Sequence, residues 1–244
     1  MNNESKNFSS AKLINDIITL CNIHRIKYKI IGLEVFEKIN QTYPIYQIVI
    51  NPKAKYKFCI IAGVHGSEIA GPFTILEALK KPEKFFESKI RYDIFPLINP
   101  TGFDLGRRYD DDNRDLNCLN KKTLKSKNYR EIQAFNEATK KQRFDALISL
   151  HEDLPQTKFY AYIFEKGKNP LYRKIISSTE KKIDIWKTKN IYENFSDKKG
   201  LVINAHNQAI EDRLYCQGRA KISLTTETPG KIPLKERVKI NLDS

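Results

Sequence analysis

The chain has 244 residues, of which 40% are hydrophobic and 30% charged, and its formal net charge is +14. This length and composition exclude a disordered or fibrous protein and predict a single domain over residues 1–244. No stretch approaches the roughly 20 apolar residues that a membrane span requires, so no membrane partner is expected.

The termini, cysteines and lysines predict a compartment and a type of surface. The first six residues lack a basic start followed by an apolar run, so no secretory signal is expected. The four cysteines are scattered without a CxxC pair, which favours a reducing compartment, and we expect the cytoplasm. The lysines are spread along the chain without interleaved aromatic residues, which favours a solvated surface over a specific nucleic-acid site.

The first quarter of the chain predicts one helix and three strands. Ser9 or Ser10 could cap a helix whose apolar face runs from Leu13 to Cys21 at spacings of three and four. Strands are predicted near residues 28–36, 46–50 and 56–62, with a turn signal between the last two. Together they predict an antiparallel meander.

The third of these strands is continuously apolar and therefore predicts a central strand covered on both faces. His65 follows it directly, and helical periodicity starts around Ile69. His65 and Glu68 are thus expected on the turn between the carboxyl end of a strand and a helix. Ligand sites in open α/β sheets favour that edge.

The rest of the chain contains further predicted strands that end in candidate site residues. A strand over residues 92–98 ends in a turn signal, and a long polar loop extends to about residue 127. A helix is predicted over 129–142, followed by a buried strand over 146–150 that delivers His151 at its end. A last strand over 221–226 presents Glu227.

His65, Glu68 and His151 together predict a metal site. Two imidazoles and one carboxylate are the protein ligands of a catalytic zinc, which leaves a fourth position open. An isolated HxxE pattern is weak, but the small neighbours of His65 and the two strand-end histidines favour one Zn²⁺ per chain. We interpret His24 and His206 as ordinary surface or packing residues.

Several acids around this set have both a functional and a structural interpretation. Glu227 would act as the general base, taking a proton from metal-activated water, or it is a surface glutamate at a strand end. The pair Glu152-Asp153 would support the ligand histidine beside it, or it lies on a solvated turn.

The loop over residues 102–117 is rich in charged groups that could serve amide hydrolysis. An arginine can stabilise a developing oxyanion, and Asn or Arg can hold a substrate carboxylate. Its candidate residues are Arg107, Arg108, Arg114 and Asn117. Solvated loop charge is the alternative.

Five segments in order resemble the zinc carboxypeptidase (carboxypeptidase A-like) superfamily, over roughly residues 56–230. They are His65-Gly66-Ser67-Glu68, Asn99-Pro100-Thr101-Gly102-Phe103, Asp115-Leu116-Asn117, His151 and Thr226-Glu227-Thr228-Pro229. The stretch from His151 to Tyr162 is also similar to bacterial members near the succinylglutamate desuccinylase and aspartoacylase branch.

The resemblance implies an α/β fold with a mixed, twisted sheet of about eight strands flanked by helices. It implies that His65, Glu68 and His151 bind zinc and that Glu227 is the base. Arg108 would polarise the scissile carbonyl, with Arg107 as the fallback, and Asn117 would contact the substrate carboxylate. Carboxypeptidases have an arginine where this chain has Cys118, and Arg114 could substitute for it.

The leading hypothesis is a zinc metallocarboxypeptidase that hydrolyses the C-terminal amide bond of a peptide. Glu227 would assist attack of metal-bound water, and zinc and Arg108 would hold the oxyanion. The first alternative is a zinc-dependent deacylase of N-acyl amino acids or an amidase of cell-wall peptides. The second is a non-enzymatic protein that binds a polyanion through its basic surface.

Overall fold

The computed structural model of the chain describes residues 8–36, 41–118, 129–165, 171–197 and 199–243. Residues 1–6, on which the prediction about a secretory signal rests, lie outside these ranges, and so does the end of the polar loop. The described helices are α1 (Ser10–Ile23), α2 (Ala70–Leu79), α3 (Pro82–Phe85), α4 (Pro100–Asp104), α5 (Arg130–Thr139), α6 (Leu171–Glu180), α7 (Ile210–Cys216) and α8 (Leu234–Asp243). None of these helices combines the length and the apolar character that a bilayer crossing requires.

The strands form one mixed sheet of eight strands and a small hairpin. They are β1 (Lys27–Phe36), β2 (Gln41–Ile50), β3 (Tyr56–Ala62), β4 (Ile90–Phe95), β5 (Ala146–Asp153), β6 (Tyr160–Phe164), β7 (Asn190–Ile191), β8 (Asn194–Phe195), β9 (Leu201–Ile203) and β10 (Ser223–Pro229). The order in the large sheet is β1-β2-β4-β3-β5-β10-β6-β9, and β7 pairs with β8. The predicted mixed sheet of about eight strands between helices is confirmed.

The predicted meander is wrong at its third strand. β1 and β2 pair in antiparallel fashion as predicted, but β4 inserts between β2 and β3 and runs parallel to β3. The apolar run of β3 explains the difference, because such a strand is most favourable in the centre of the sheet with both faces covered. An antiparallel hairpin with β2 would leave it nearer the edge.

Helices cover both faces of the sheet and bury apolar clusters against it. Ser9 caps α1 by accepting a hydrogen bond from the Lys12 N–H, as one of the two predicted caps. α1 and α2 pack on one face through Ile17 and Leu79. α5 and α7 pack on the other through Phe135 and Leu214. The large apolar clusters hold the central strands in fixed positions.

The central strands β4, β3, β5 and β10 are mutually parallel, so their carboxyl ends meet at one edge. The turn after β3 depends on Gly63, whose φ is +60°, and on Gly66. A Cβ on Gly66 would lie 2.0 Å from the Gly102 carbonyl carbon, so only glycine fits this approach. The fold thereby brings His65, His151 and Glu227 to the same edge of the sheet.

Candidate metal centre and active site

The side chains of three residues converge at the carboxyl edge of the central strands. Glu68 Oε1 lies 2.6 Å from His65 Nδ1, and Glu68 Oε2 lies 2.7 Å from His151 Nδ1. The two Nδ1 atoms are 3.2 Å apart. All three residues are buried. The structure therefore brings together the three residues predicted as metal ligands, in one cluster that could hold an ion.

The far nitrogen of each ring lies near another carboxylate. His65 Nε2 lies 3.3 Å from Asp115 Oδ1. His151 Nε2 lies 3.3 Å from Glu211 Oε1, an ionic contact without the alignment of a hydrogen bond. A carboxylate at this position favours the proton on Nε2, which leaves the Nδ1 lone pair directed at the cluster.

This donor set fits a metal ion. With protons on both Nε2 atoms, the centre of the cluster contains two nitrogen lone pairs and a carboxylate, which attract a cation. The 3.2 Å between the ring nitrogens is close to the edge of about 3.3 Å of a tetrahedron with zinc–nitrogen bonds of about 2 Å. Zinc suits two imidazoles and a carboxylate, and other divalent ions also bind such sets.

The pKa shifts of the ligand residues also show that the site favours a positive charge. Burial alone would raise the pKa of Glu68, but His65 and His151 outweigh it and hold that pKa well below its ordinary value. Burial alone would lower the pKa of His151, but Glu68 and Glu211 raise it well above its ordinary value. The pocket thus favours a positive charge between its donors.

Glu227 reaches the same site from the neighbouring strand. It is the register partner of His151 across β5 and of Tyr160 across β6. Burial raises its pKa to about 8, with a further contribution from nearby carboxylates such as Glu68, while His151 opposes the shift. The strand continues to Pro229 instead of stopping at residue 226 as predicted, because β10 pairs with β5 over its whole length.

These residues line one pocket of about 400 Å³. That volume suits a ligand of the size of an amino acid derivative or the end of a peptide. The described lining residues include His65, Glu68, Arg108, Asn117, His151, Asp153, Tyr160, Tyr162, Tyr192, Asn207, Ala209, Glu211 and Glu227.

Arg108, the predicted oxyanion residue, and Asn117, the predicted contact of the substrate carboxylate, both line the pocket. Arg108 is anchored by Asp115, whose Oδ2 lies 3.2 Å from its Nε, and its Nη1 lies 3.4 Å from Glu68 Oε1. Asn117 Oδ1 accepts a hydrogen bond of 3.0 Å from the Ile210 N–H at the start of α7. That bond orients the amide and leaves its Nδ2 as the group available to a substrate.

Arg107 and Arg114, the other predicted substrate-binding residues, are not among the lining residues of this pocket. Arg114 Nε donates to Asp110 Oδ2 at 2.6 Å, and Arg107 donates to the Asp110 carbonyl oxygen. Asp110 is fully buried, so its polar groups require hydrogen-bond partners. Both arginines thus stabilise the conformation of the loop. Their contacts support a structural role and give no support to substrate binding.

The sequence did not predict the two carboxylates behind the histidine rings. Asp115 stands in the Asp-Leu-Asn segment, which could have indicated it. Glu211 lies on α7, far along the chain from His151, and only the packing of α7 against the sheet brings it to that ring. No local pattern marks such a residue.

Glu152 and Asp153, predicted either to support the ligand histidine or to lie on a solvated turn, lie on β5 and make hydrogen bonds around the site. The Glu152 N–H donates to Glu68 Oε2 at 3.2 Å. The buried Glu152 side chain accepts from the Ala70 N–H at 2.8 Å and pairs with Arg237 Nη1 at 2.5 Å. Asp153 accepts hydrogen bonds from the hydroxyls of two pocket tyrosines. Neither residue lies on a solvated turn.

Comparison with known proteins agrees with this geometry. Residues 54–173 match the family described as the succinylglutamate desuccinylase/aspartoacylase catalytic domain. The match covers just under half of the chain, and over that segment the chain is similar to this family. No curated protein matches the sequence.

Several solved structures share the fold over nearly the whole chain. A candidate metallopeptidase from Shewanella amazonensis is 21% identical, with a TM-score of 0.81 over 98% of this chain and 91% of that one. A second from Shewanella baltica is 23% identical, with a TM-score of 0.80 over 98% and 90%. A metallo-carboxypeptidase from Burkholderia cenocepacia is 15% identical, with a TM-score of 0.66 over 97% and 67%.

Proposed function

We propose that the protein is a zinc-dependent amide hydrolase, and specifically a metallocarboxypeptidase that releases the C-terminal residue of a peptide. The observation that carries the proposal is the convergence of the His65, Glu68 and His151 donors with a carboxylate, Glu227, on the adjacent parallel strand. Metal-dependent hydrolysis of an amide requires a metal site and a general base close together, and both lie here at one edge of the sheet.

The residues of the pocket divide the chemistry between them. Bound zinc would polarise the scissile carbonyl and lower the pKa of a water molecule. Glu227 would take the proton of the attacking water and pass it to the leaving amine. Burial raises the pKa of Glu227 in the metal-free site towards neutrality, and a carboxyl group whose pKa lies near the working pH can both accept and return a proton.

Arg108 would stabilise the negative charge that develops on the carbonyl oxygen. Its guanidinium is half exposed and enters the pocket beside Glu68, while Asp115 fixes its direction. A preorganised guanidinium costs no reorganisation during the reaction. Asn117 would contact the terminal carboxylate through its Nδ2.

Two observations support a peptide substrate. The pocket volume suits a terminal residue, and the fold extends over proteins described as metallo-carboxypeptidases. The tyrosines at Tyr160, Tyr162 and Tyr192 would flank the side chain of the released residue.

A deacylase of N-acyl amino acids is the second candidate, and the family match over residues 54–173 favours it. The site of the carboxypeptidase arginine is Cys118, and the contacts of Arg114 with Asp110 and Asp112 leave it a poor substitute. A substrate whose binding does not require a second arginine would suit this pocket.

A matched set of substrates separates the candidates. The set comprises a peptide with a free carboxyl terminus, the same peptide amidated at that terminus, and N-acyl amino acids. The carboxypeptidase proposal predicts that amidation lowers kcat/KM at least about 100-fold, which is the cost of leaving buried polar groups unpaired. Faster cleavage of the N-acyl amino acids than of the free peptide would instead establish the deacylase.

Glu227→Gln tests the mechanism common to both candidates. It should lower kcat by about 10²–10⁴-fold while metal content is unchanged, because it removes only the proton transfer. Glu83→Gln, at an exposed position on α3, is the control and should keep full activity. Unchanged activity of Glu227→Gln would overturn its role as the base.

A further inference from the structure

A second cluster of metal-ligand residue types lies at α7, outside the site described above. His206 Nδ1 lies 2.6 Å from Asp212 Oδ1, and Cys216 Sγ lies 3.2 Å from the same oxygen. Cys216 Sγ is 3.6 Å from His206 Nδ1. Imidazole, carboxylate and thiol atoms thus converge on one point, and together they could hold an ion.

The orientation of the imidazole distinguishes a metal site from a nucleophile relay. A relay uses both ring nitrogens of a histidine, one for the nucleophile and one for the orienting acid. Here Nδ1 alone faces both Asp212 and Cys216. Convergence of three different donors on one side of the ring is the arrangement that metal coordination requires.

The cluster is held in place by the surrounding structure. Asp212 Oδ2 accepts hydrogen bonds from the backbone N–H groups of Asn207 and Gln208, at 2.9 and 2.8 Å. Its Oδ1 is thereby directed at the cluster. The His206 ring packs against Phe164 with centroids 5.6 Å apart. Such support lowers the entropic cost of ordering the ligands on binding.

We infer that His206, Asp212 and Cys216 bind one zinc or similar divalent transition-metal ion, at a site separate from the His65–Glu68–His151 centre. Imidazole, thiolate and carboxylate are all zinc ligands, and the thiolate selects against magnesium and calcium. The Asp212 side chain is buried, whereas His206 is 52% exposed, so a water molecule can complete the coordination. On loading, Cys216 gives its thiol proton to solvent, the proton in the 2.6 Å contact between His206 Nδ1 and Asp212 also leaves, and the neutral imidazole then carries its proton on Nε2.

The position of this site suggests that it acts on the catalytic pocket. Glu211, the neighbour of Asp212 on α7, contacts His151 Nε2. Asn207 and Ala209, in the segment between His206 and α7, line the pocket. An ion bound at the cluster would join this segment to α7 and so stiffen one wall of the pocket. This consequence goes beyond the proposed hydrolase function, whereas the ion site itself does not depend on it.

A titration with Co²⁺ distinguishes the two sites, because a cobalt–thiolate bond gives an intense charge-transfer absorption in the near ultraviolet and a His-Glu-His site does not. We expect metal-free wild-type protein to develop this absorption, complete by about two equivalents per chain because the His65–Glu68–His151 centre also takes up cobalt. Cys216→Ser should abolish it, and His206→Ala should weaken the binding of cobalt at least tenfold.

Two further variants make the test specific. Cys118→Ser, which removes the other exposed thiol of the described residues, should keep the absorption. His65→Ala should also keep it, so that a failure of the hydrolase proposal leaves this test unaffected. No absorption in wild-type protein, its persistence in Cys216→Ser, or its loss in Cys118→Ser would overturn the proposed site.

Discussion

Glu227 and His151 are register partners on the parallel strands β10 and β5. Paired residues of neighbouring strands point to the same face, about 4.8 Å apart, so the base candidate stands beside a metal ligand without a loop to position it. The burial that this position imposes also raises the Glu227 pKa to about 8. The sheet therefore sets both the place and the proton affinity of this carboxyl.

That raised pKa predicts a pH-dependent cost to stability in metal-free protein. The ordinary pKa of Glu227 is 4.5, and the folded protein raises it to about 8. A carboxyl with a raised pKa contributes fully below about pH 4.5, and the contribution is lost as the pH rises through 8. Glu227→Gln should therefore be the more stable protein at pH 9, by at least about 1 kcal/mol or about 2–4 °C in Tm.

Thermal unfolding in a chelator across pH 4.5–9 measures this difference. The gain from Glu227→Gln should shrink towards zero at the acid end, where the carboxyl is neutral in both states. Glu83→Gln should show no such trend. A gain that is constant across this pH range would mean that the substitution acts through packing and that Glu227 ionises normally.

The strand ends could be predicted from sequence because their signals are local. The apolar runs before His65 and His151 define buried strands, and parallel strands bring their carboxyl ends together. The position of β4 between β2 and β3 could not be predicted, because pairing depends on which strand gains most from the centre of the sheet. The same limit applies to Glu211, which reaches His151 only through the packing of α7.

Arg108 and Arg114 should respond differently to truncation, although the loop sequence makes them look alike. Arg108→Ala should lower kcat/KM by about 10²–10³-fold with little change in stability, because its guanidinium is half exposed in the pocket. Arg114→Ala should cost about 1–3 kcal/mol of stability, because the buried Asp110 carboxylate loses its guanidinium partner and keeps only the backbone N–H of residue 114.

Steady-state kinetics per folded molecule and urea unfolding separate these two effects. Arg143→Ala, at an exposed position, serves as the control for loss of a surface charge. If Arg114→Ala raises KM while leaving the unfolding free energy intact, Arg114 contacts the substrate after all and the structural interpretation of the loop is incorrect.

Glu211→Gln should weaken zinc binding by about 10–100-fold, because the carboxylate behind His151 increases the basicity of the ligand nitrogen. Competition with a calibrated chelator gives the zinc Kd. Asp153→Asn is a matched control, since Asp153 also lines the pocket but contacts tyrosine hydroxyls instead of a ligand ring. Equal zinc affinities of wild-type protein and Glu211→Gln would show that the 3.3 Å contact has no effect on the metal.

The three arginines of the polar loop show the limit of prediction from residue type alone. Residue type could not distinguish Arg108 from Arg107 and Arg114, since all three are equally suited to bind an anion. Asp110 decides the matter, because its buried carboxylate binds Arg114 and its backbone carbonyl oxygen binds Arg107, whereas Arg108 reaches the pocket. Burial of a loop aspartate is a tertiary property.

The central claim is that His65, Glu68 and His151 hold a catalytic metal ion, and metal content tests it most directly. The measurement is mass spectrometry of purified protein in the Cys216→Ser background, which removes the thiolate site from the count. The account predicts about one zinc per chain, retained in His24→Ala and almost absent in folded His65→Ala. Absence of metal in all three proteins after zinc titration, or equal metal in His65→Ala, would contradict it.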